Sequence, residues 1–183
     1  MKKKLILAAA VTVVTSTAFA AQEGFYAGVN AGAAQQNIDG AGSKKENPTS
    51  WGLYGGYNFT RNFGLELGYQ DLGEAKIDGQ SKVKSQALST DMVGRYALTD
   101  RFDVFGKAGL SYFKRKLTLD TGGEDSKYGT AGKLALGGEF AATQNIGVRV
   151  EVAEFLGAPT FTGANYEYKK NITAMTMGVN YHF

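Results

Sequence analysis

The chain has 183 residues, of which 43% are hydrophobic and 12% aromatic, with 25 glycines, two prolines and no cysteine. The lack of cysteine excludes disulfides and thiolate metal sites, and a single histidine, His182, excludes a histidine cluster. The formal charge of +3, from 20 basic and 17 acidic residues, resides in Lys2, Lys3 and Lys4; without them the balance is 17 against 17, which leaves no nucleic-acid footprint.

The first predicted element is a leader. Three lysines precede a short apolar run from Leu5 to Val14, and Ala18-Phe19-Ala20 supplies the small-x-small pattern that a signal peptidase reads. The run is too short for a membrane-spanning helix. Residues 1–20 are therefore expected to be a cleaved signal peptide, cut after Ala20, and residues 21–183 a single domain. No segment of that domain approaches the ~20 apolar residues of a helical span, so any membrane crossing must use a closed barrel.

The rest of the chain alternates with a period of two, the strand signature. One face of a first strand reads Phe25, Ala27, Val29, Ala31, Ala33. A second reads Trp51, Leu53, Gly55, Tyr57, Phe59, and a third Phe63, Leu65, Leu67, Tyr69. The fourth reads Leu88, Thr90, Met92, Gly94, Tyr96, and the fifth Phe102, Val104, Gly106, Ala108, Leu110, Tyr112. The sixth reads Leu134, Leu136, Gly138, Phe140, the seventh Ile146, Val148, Val150, Val152, and the eighth Thr173, Met175, Met177, Val179, Tyr181, Phe183. None of these residues is charged. The opposite face holds Glu66, Asp91, Arg95, Asp103, Lys107, Lys133, Glu139, Arg149, Glu151 and His182, separated by many glycines.

Alternation alone fits two orientations. A soluble periplasmic barrel turns its charges to water, and a membrane barrel turns them inward. Glycine weakens a water-exposed strand but makes room in a narrow, side-chain-filled lumen. Aromatics such as Tyr57, Phe63, Tyr96, Phe102 and Tyr181 sit where strands meet turns, as an interfacial girdle requires. Connections also alternate in length. Thr60-Arg61-Asn62, Thr99-Asp100-Arg101 and Thr143-Gln144-Asn145 are tight, whereas the regions about 35–48, 71–86, 114–129 and 156–171 are long and polar. These signs predict an all-β fold, an eight-stranded antiparallel up-and-down transmembrane β-barrel in the bacterial outer membrane, with both termini periplasmic. Turn chemistry at Asp39-Gly40-Ala41-Gly42 and Thr121-Gly122-Gly123 predicts strands that extend beyond the bilayer as hairpins. The final alternating stretch, with Val179, Tyr181 and terminal Phe183 on one face, is expected to serve as last strand and as the signal to the barrel assembly machinery.

Several stretches carry a resemblance. They are Phe25-Tyr26-Ala27-Gly28, Gly55-Gly56-Tyr57-Asn58, and Gly64-Leu65-Glu66-Leu67-Gly68-Tyr69-Gln70-Asp71-Leu72-Gly73. Tyr96-Ala97-Leu98-Thr99-Asp100, Gly137-Gly138-Glu139-Phe140 and Gly147-Val148-Arg149-Val150-Glu151 follow. In order and spacing the chain resembles the transmembrane domain of OmpA and its single-domain relatives. The resemblance implies an inward ion-pair network discussed in the family as a gate, with Glu66, Glu139 and Arg149 at matching positions. The family's lysine falls on Val93, where Arg95, two residues on and on the same face, is the expected substitute. The chain is expected to end with the barrel, so anchoring to the cell wall is not carried over.

Independently of the family, inward charges in a low-dielectric barrel must pair. The expected network is Glu66, Asp91, Arg95, Lys107, Glu139, Arg149 and Glu151. No cofactor and no catalysis are expected, since His182 lies at the rim opposite the outer-leaflet lipids that outer-membrane enzymes attack. Lys44-Lys45 and Lys114-Arg115-Lys116 are candidates for lipopolysaccharide phosphates, with solvated loop charge as the plain alternative. The expected partners are outer-membrane lipids and lipopolysaccharide, the assembly machinery, and a host or surface ligand through the loops; a monomer is expected because closure removes sheet edges. The expected function is envelope integrity with loop presentation for adhesion or host contact. A narrow, gated, porin-like pore for ions or small solutes is the alternative.

Overall fold

The computed structural model describes residues 23–39, 45–46, 48–77, 81–119, 124–158 and 167–183, and every regular element among them is a strand. In order they are β1 (Gly24–Asp39), β2 (Lys45–Glu46), β3 (Thr49–Asn58), β4 (Phe63–Ile77), β5 (Ser81–Ala97), β6 (Phe102–Leu119), β7 (Glu124–Ala141), β8 (Ile146–Leu156) and β9 (Glu167–His182). β2 is a two-residue strand paired with β1. The other eight form the wall, each antiparallel to its neighbours, and β9 pairs back onto β1 from Tyr26↔His182 to Asp39↔Glu167. The sheet thus closes into a barrel.

Ladder partners followed once round run from Tyr26 through Gly56, Glu66, Asp91, Gly109, Lys133, Phe155 and Ile172. They return to β1 at Gln36, ten residues along from Tyr26. Eight strands with that stagger tilt by about 40° and enclose a radius of about 8 Å, which side chains can fill. On β6 the lipid-facing apolar residues run from Phe102 to Tyr112. Ten steps at ~3.3 Å and that tilt give about 25 Å, the height of an outer-membrane apolar band.

The charge-free face points outward: Val29, Leu53, Leu67, Met92, Leu136 and Met175 are exposed while the charged face is buried. Exposure of this many large apolar side chains is intelligible only against lipid. Inward glycines are shaped by their neighbours. Tyr26 lies across from Gly56, Tyr54 from Gly28, and Phe105 from Gly137, and a Cβ on any of these glycines would fall on the facing ring.

The three tight turns share one device. Thr60 Oγ1 accepts hydrogen bonds from the Asn62 and Phe63 amides, Thr99 Oγ1 from Arg101 and Phe102, and Thr143 Oγ1 from Asn145 and Ile146, all at 3.0–3.3 Å. Each turn also grips the next strand: the Arg95 amide donates to Asn62 O, Ala141 to Arg101 O, and His182 to Asn145 O.

At the other end the strands outrun the band. Most of 71–86 and 114–129, read from sequence as long polar connections, is ladder: β4 and β5 pair as far as Ile77↔Ser81, and β6 and β7 as far as Thr118↔Glu124. Above the band the outward face no longer has to be apolar, so polar residues continue the same alternation unnoticed. A bulge between Asp71 and Glu74 interrupts β4. Gly73 takes φ 77°, its amide donates to Asp71 Oδ1 at 2.9 Å, and Leu72 turns fully inward. Only glycine adopts that left-handed conformation without strain.

Candidate functional site in the barrel lumen

Strand alternation sends one residue in two into the lumen, and the stagger decides which of them meet. Toward the short-turn end, Glu139 of β7 is a hub. It accepts from Arg95 Nη1 at 3.0 Å, Arg149 Nε at 3.1 Å, Arg149 Nη2 at 2.9 Å and Asn180 Nδ2 at 3.0 Å, and His182 Nε2 lies 2.9 Å away. One step toward the long-loop end, Glu66 of β4 accepts from Arg149 Nη1 at 2.8 Å, Lys107 Nζ at 2.5 Å and the Tyr26 hydroxyl at 2.9 Å. Lys107 also reaches Glu151 at 2.5 Å. Next along, Lys133 donates to Asp91 at 2.6 Å and lies 4.0 Å from Glu151.

All seven residues proposed from sequence for the network are buried and in contact within it, directly or through Lys133: Glu66, Asp91, Arg95, Lys107, Glu139, Arg149 and Glu151. With Lys133 they make four acids and four bases, so the cluster is formally neutral. Such matching is what lets charges remain ionised in a water-poor interior. Each of the four carboxylates holds a base, and among the described residues no cluster of three or more acidic or histidine side chains is placed to hold a metal ion.

Arg95, the expected substitute for the family lysine, joins the network through Glu139. Val93, on which that lysine falls, is the direct ladder partner of Lys107 on β6, and Lys107 pairs with Glu66.

Aromatic rings line the bases. Arg149 Cζ sits 4.6 Å from the Tyr54 ring centre and 4.7 Å from that of Phe105, and Arg95 Cζ 5.2 Å from that of Tyr26. Weakly hydrated guanidinium stacks on such faces while its edge bonds carboxylate. Sequence reading missed Tyr26, Tyr54 and Phe105, although their parity with Glu66 and Lys107 was available.

The lumen is not polar throughout. Beyond Lys133, Phe113 and Phe155 meet edge to face at 5.2 Å and 89°. Leu72, Ile172, Ala34, Ala87, Ala131 and Ala174 pack with them as an apolar plug. Lys133 Nζ lies 5.8 Å from the Phe155 ring centre, which joins plug and network.

The remaining predicted residues fall outside the lumen site. Val179, Tyr181 and Phe183 are exposed on the lipid-facing side of the last strand, with the Tyr181 and Phe183 rings 5.1 Å apart. Ala18, Ala20 and Lys44 lie outside the described residues, as does the side chain of Lys45. Lys114 and Lys116 face outward but Arg115 between them is buried, so that run is not one surface patch.

Comparison with known proteins agrees with this geometry. Residues 20–183 match the family model of the OmpA-like transmembrane domain. The chain is 34% identical over 183 aligned residues to outer membrane protein P5 of Haemophilus influenzae, covering 82% of this chain and 51% of that protein. It is 28% identical to outer membrane protein A of Escherichia coli O157:H7, covering 69% and 39%. The chain thus spans about half the length, or less, of these relatives. Among solved structures, Neisserial surface protein A superposes with a TM-score of 0.70 at 14% identity, covering 87% of this chain and 97% of that one. The N-terminal barrel of Pseudomonas aeruginosa OprF does so at 0.58 and 15%, covering 88% and 100%. A closed barrel, an apolar belt and the family match over residues 20–183 lead to one conclusion: the chain belongs to the OmpA-like transmembrane domain family and is a bacterial outer-membrane β-barrel.

Proposed function

We propose that this barrel is a structural component of the outer membrane that supports envelope integrity and holds its long connections at the cell surface for adhesion or host contact. The observation that supports this most is the closed lumen. A neutral ion-pair network fills one half and an apolar plug the other, and Glu66, Asp91, Arg149, Phe113 and Phe155 are all at most 2% exposed. A conducting path would have to break both. The attachment invasion locus protein of Yersinia pestis has a barrel of this kind, with a TM-score of 0.57 at 16% identity; what it shares with this chain is the architecture that carries loops.

In this reading the leader is removed after Ala20, the short turns and both termini face the periplasm, and Val179, Tyr181 and Phe183 are presented to the assembly machinery. The barrel works as a monomer without catalysis. Two measurements test the proposal together: planar-bilayer conductance, and cell or surface binding after the long connections are trimmed. Binding lost on trimming, with no conductance from the intact protein, is expected. Conductance that survives trimming and rises in Glu66→Ala identifies a gated pore instead. Protease shaving of intact cells tests which end faces outward.

A further inference from the structure

Lys84, Lys114 and Lys116 converge on one wall. Lys84 of β5 is the direct ladder partner of Lys116 of β6, and Gln86 of Lys114, so the three lysines occupy adjacent outward positions of a single ladder. Like charges placed side by side on a sheet repel; Asp71 and Glu74, the latter the ladder partner of Lys84 on β4, offset this at Lys84, and an external anion spread across the three lysines adds to that offset. Asp71 meets Lys84 at 3.1 Å, and the Lys84 side chain is still 49% exposed.

Their height is defined by neighbours. Tyr112 stacks on Tyr128 at 6.1 Å, and Lys114 Nζ lies 5.9 Å from the Tyr128 ring centre. Lys114 follows Tyr112 by two residues and Lys116 by four. At ~3.3 Å per residue and about 40° of tilt, their Cα atoms lie about 5–10 Å above that of Tyr112, the level of lipid headgroups. They point sideways into that layer rather than up from the barrel mouth. The opposite wall differs: among the described side chains, the outward residues of β8 and β9 at this end include Glu154, bonded to Asn171 at 3.0 Å, and Thr173.

We propose that the Lys84–Lys114–Lys116 ladder is a binding site for the phosphorylated sugar headgroup of lipopolysaccharide, fixing one side of the barrel to the outer leaflet. The site rests on the orientation given above, in which the long connections face outward. Binding to defined bilayers does not depend on that orientation, so the two can fail separately.

The test uses the folded protein in phosphatidylcholine nanodiscs doped with lipid A, either bisphosphorylated or enzymatically dephosphorylated, with bound lipid counted by native mass spectrometry. The bisphosphorylated form is expected to be retained at least about tenfold more than the dephosphorylated one, with the preference falling as salt rises. Lys84→Gln/Lys114→Gln/Lys116→Gln is expected to abolish it, and Lys→Arg at the same three sites to keep it. Arg61→Gln, at the short-turn end, removes one charge as Lys114→Gln does and is the control that retains it. If the triple variant inserts poorly, Lys114→Gln alone is read in its place. Equal retention by wild type and variant, or equal retention of the two lipids, overturns the proposal. So does loss of sucrose octasulfate binding in the variant with lipid A retention unchanged, because the patch then serves a soluble polyanion.

Discussion

Glu139→Gln is expected to destabilise the barrel by about 3–5 kcal/mol, the cost of leaving buried charge without its partner. The reason lies in how the network shares its acids. Arg149 keeps Glu66 after the substitution, but Glu139 is the acid within reach of Arg95 at 3.0 Å. Glu66→Gln is the matched comparison. Its two bases each retain a second carboxylate, Lys107 on Glu151 and Arg149 on Glu139, so about 2 kcal/mol of charge-assisted hydrogen bonding is lost instead. Urea unfolding in lipid vesicles, followed by the single tryptophan, Trp51, on the lipid-facing side, measures both. Arg95→Leu added to Glu139→Gln is expected to recover part of the loss, because it removes the stranded charge. Equal costs for the two single variants, or no recovery in the double, would refute the hub assignment.

Phe155→Ala should cost about 3–5 kcal/mol by the same assay, with planar-bilayer conductance unchanged from wild type because the ion-pair network still fills the lumen. Thr143→Ala leaves two turn amides without their acceptor and should cost about 1 kcal/mol, with matching effects at Thr60 and Thr99. Gly32→Ala drives a methyl group into the β9 backbone at Met175 and Thr176 and should cost about 1–3 kcal/mol, whereas Gly55→Ala, whose nearest new neighbour is 3.6 Å away, should fall within about 0.5 kcal/mol of wild type. Heat-modifiable gel mobility reports the folded fraction of each variant.

What was legible in the sequence follows from the period of a strand. Alternation placed Val29, Leu67 and Met175 on one side and Glu66, Lys107 and Arg149 on the other without any knowledge of pairing. The thrice-repeated threonine turn likewise announced itself locally. The lipid side was inferred from glycine and aromatic placement, since parity separates the faces without naming their solvents.

What the sequence alone determined was therefore which residues share a face, because side-chain direction depends only on position along the strand. Which of them meet was decided by the tertiary structure. The ten-residue stagger sets the relative heights of strands far apart in sequence, and only closure brings Arg149 of β8 within 2.8 Å of Glu66 on β4. The plug escaped for a related reason: Phe113 and Phe155 share parity with charged residues, and a short apolar run on the inward face leaves the alternation unchanged. The bulge at Gly73 needed the fold as well, since it turns Leu72 into space that exists only once the strands have closed around it.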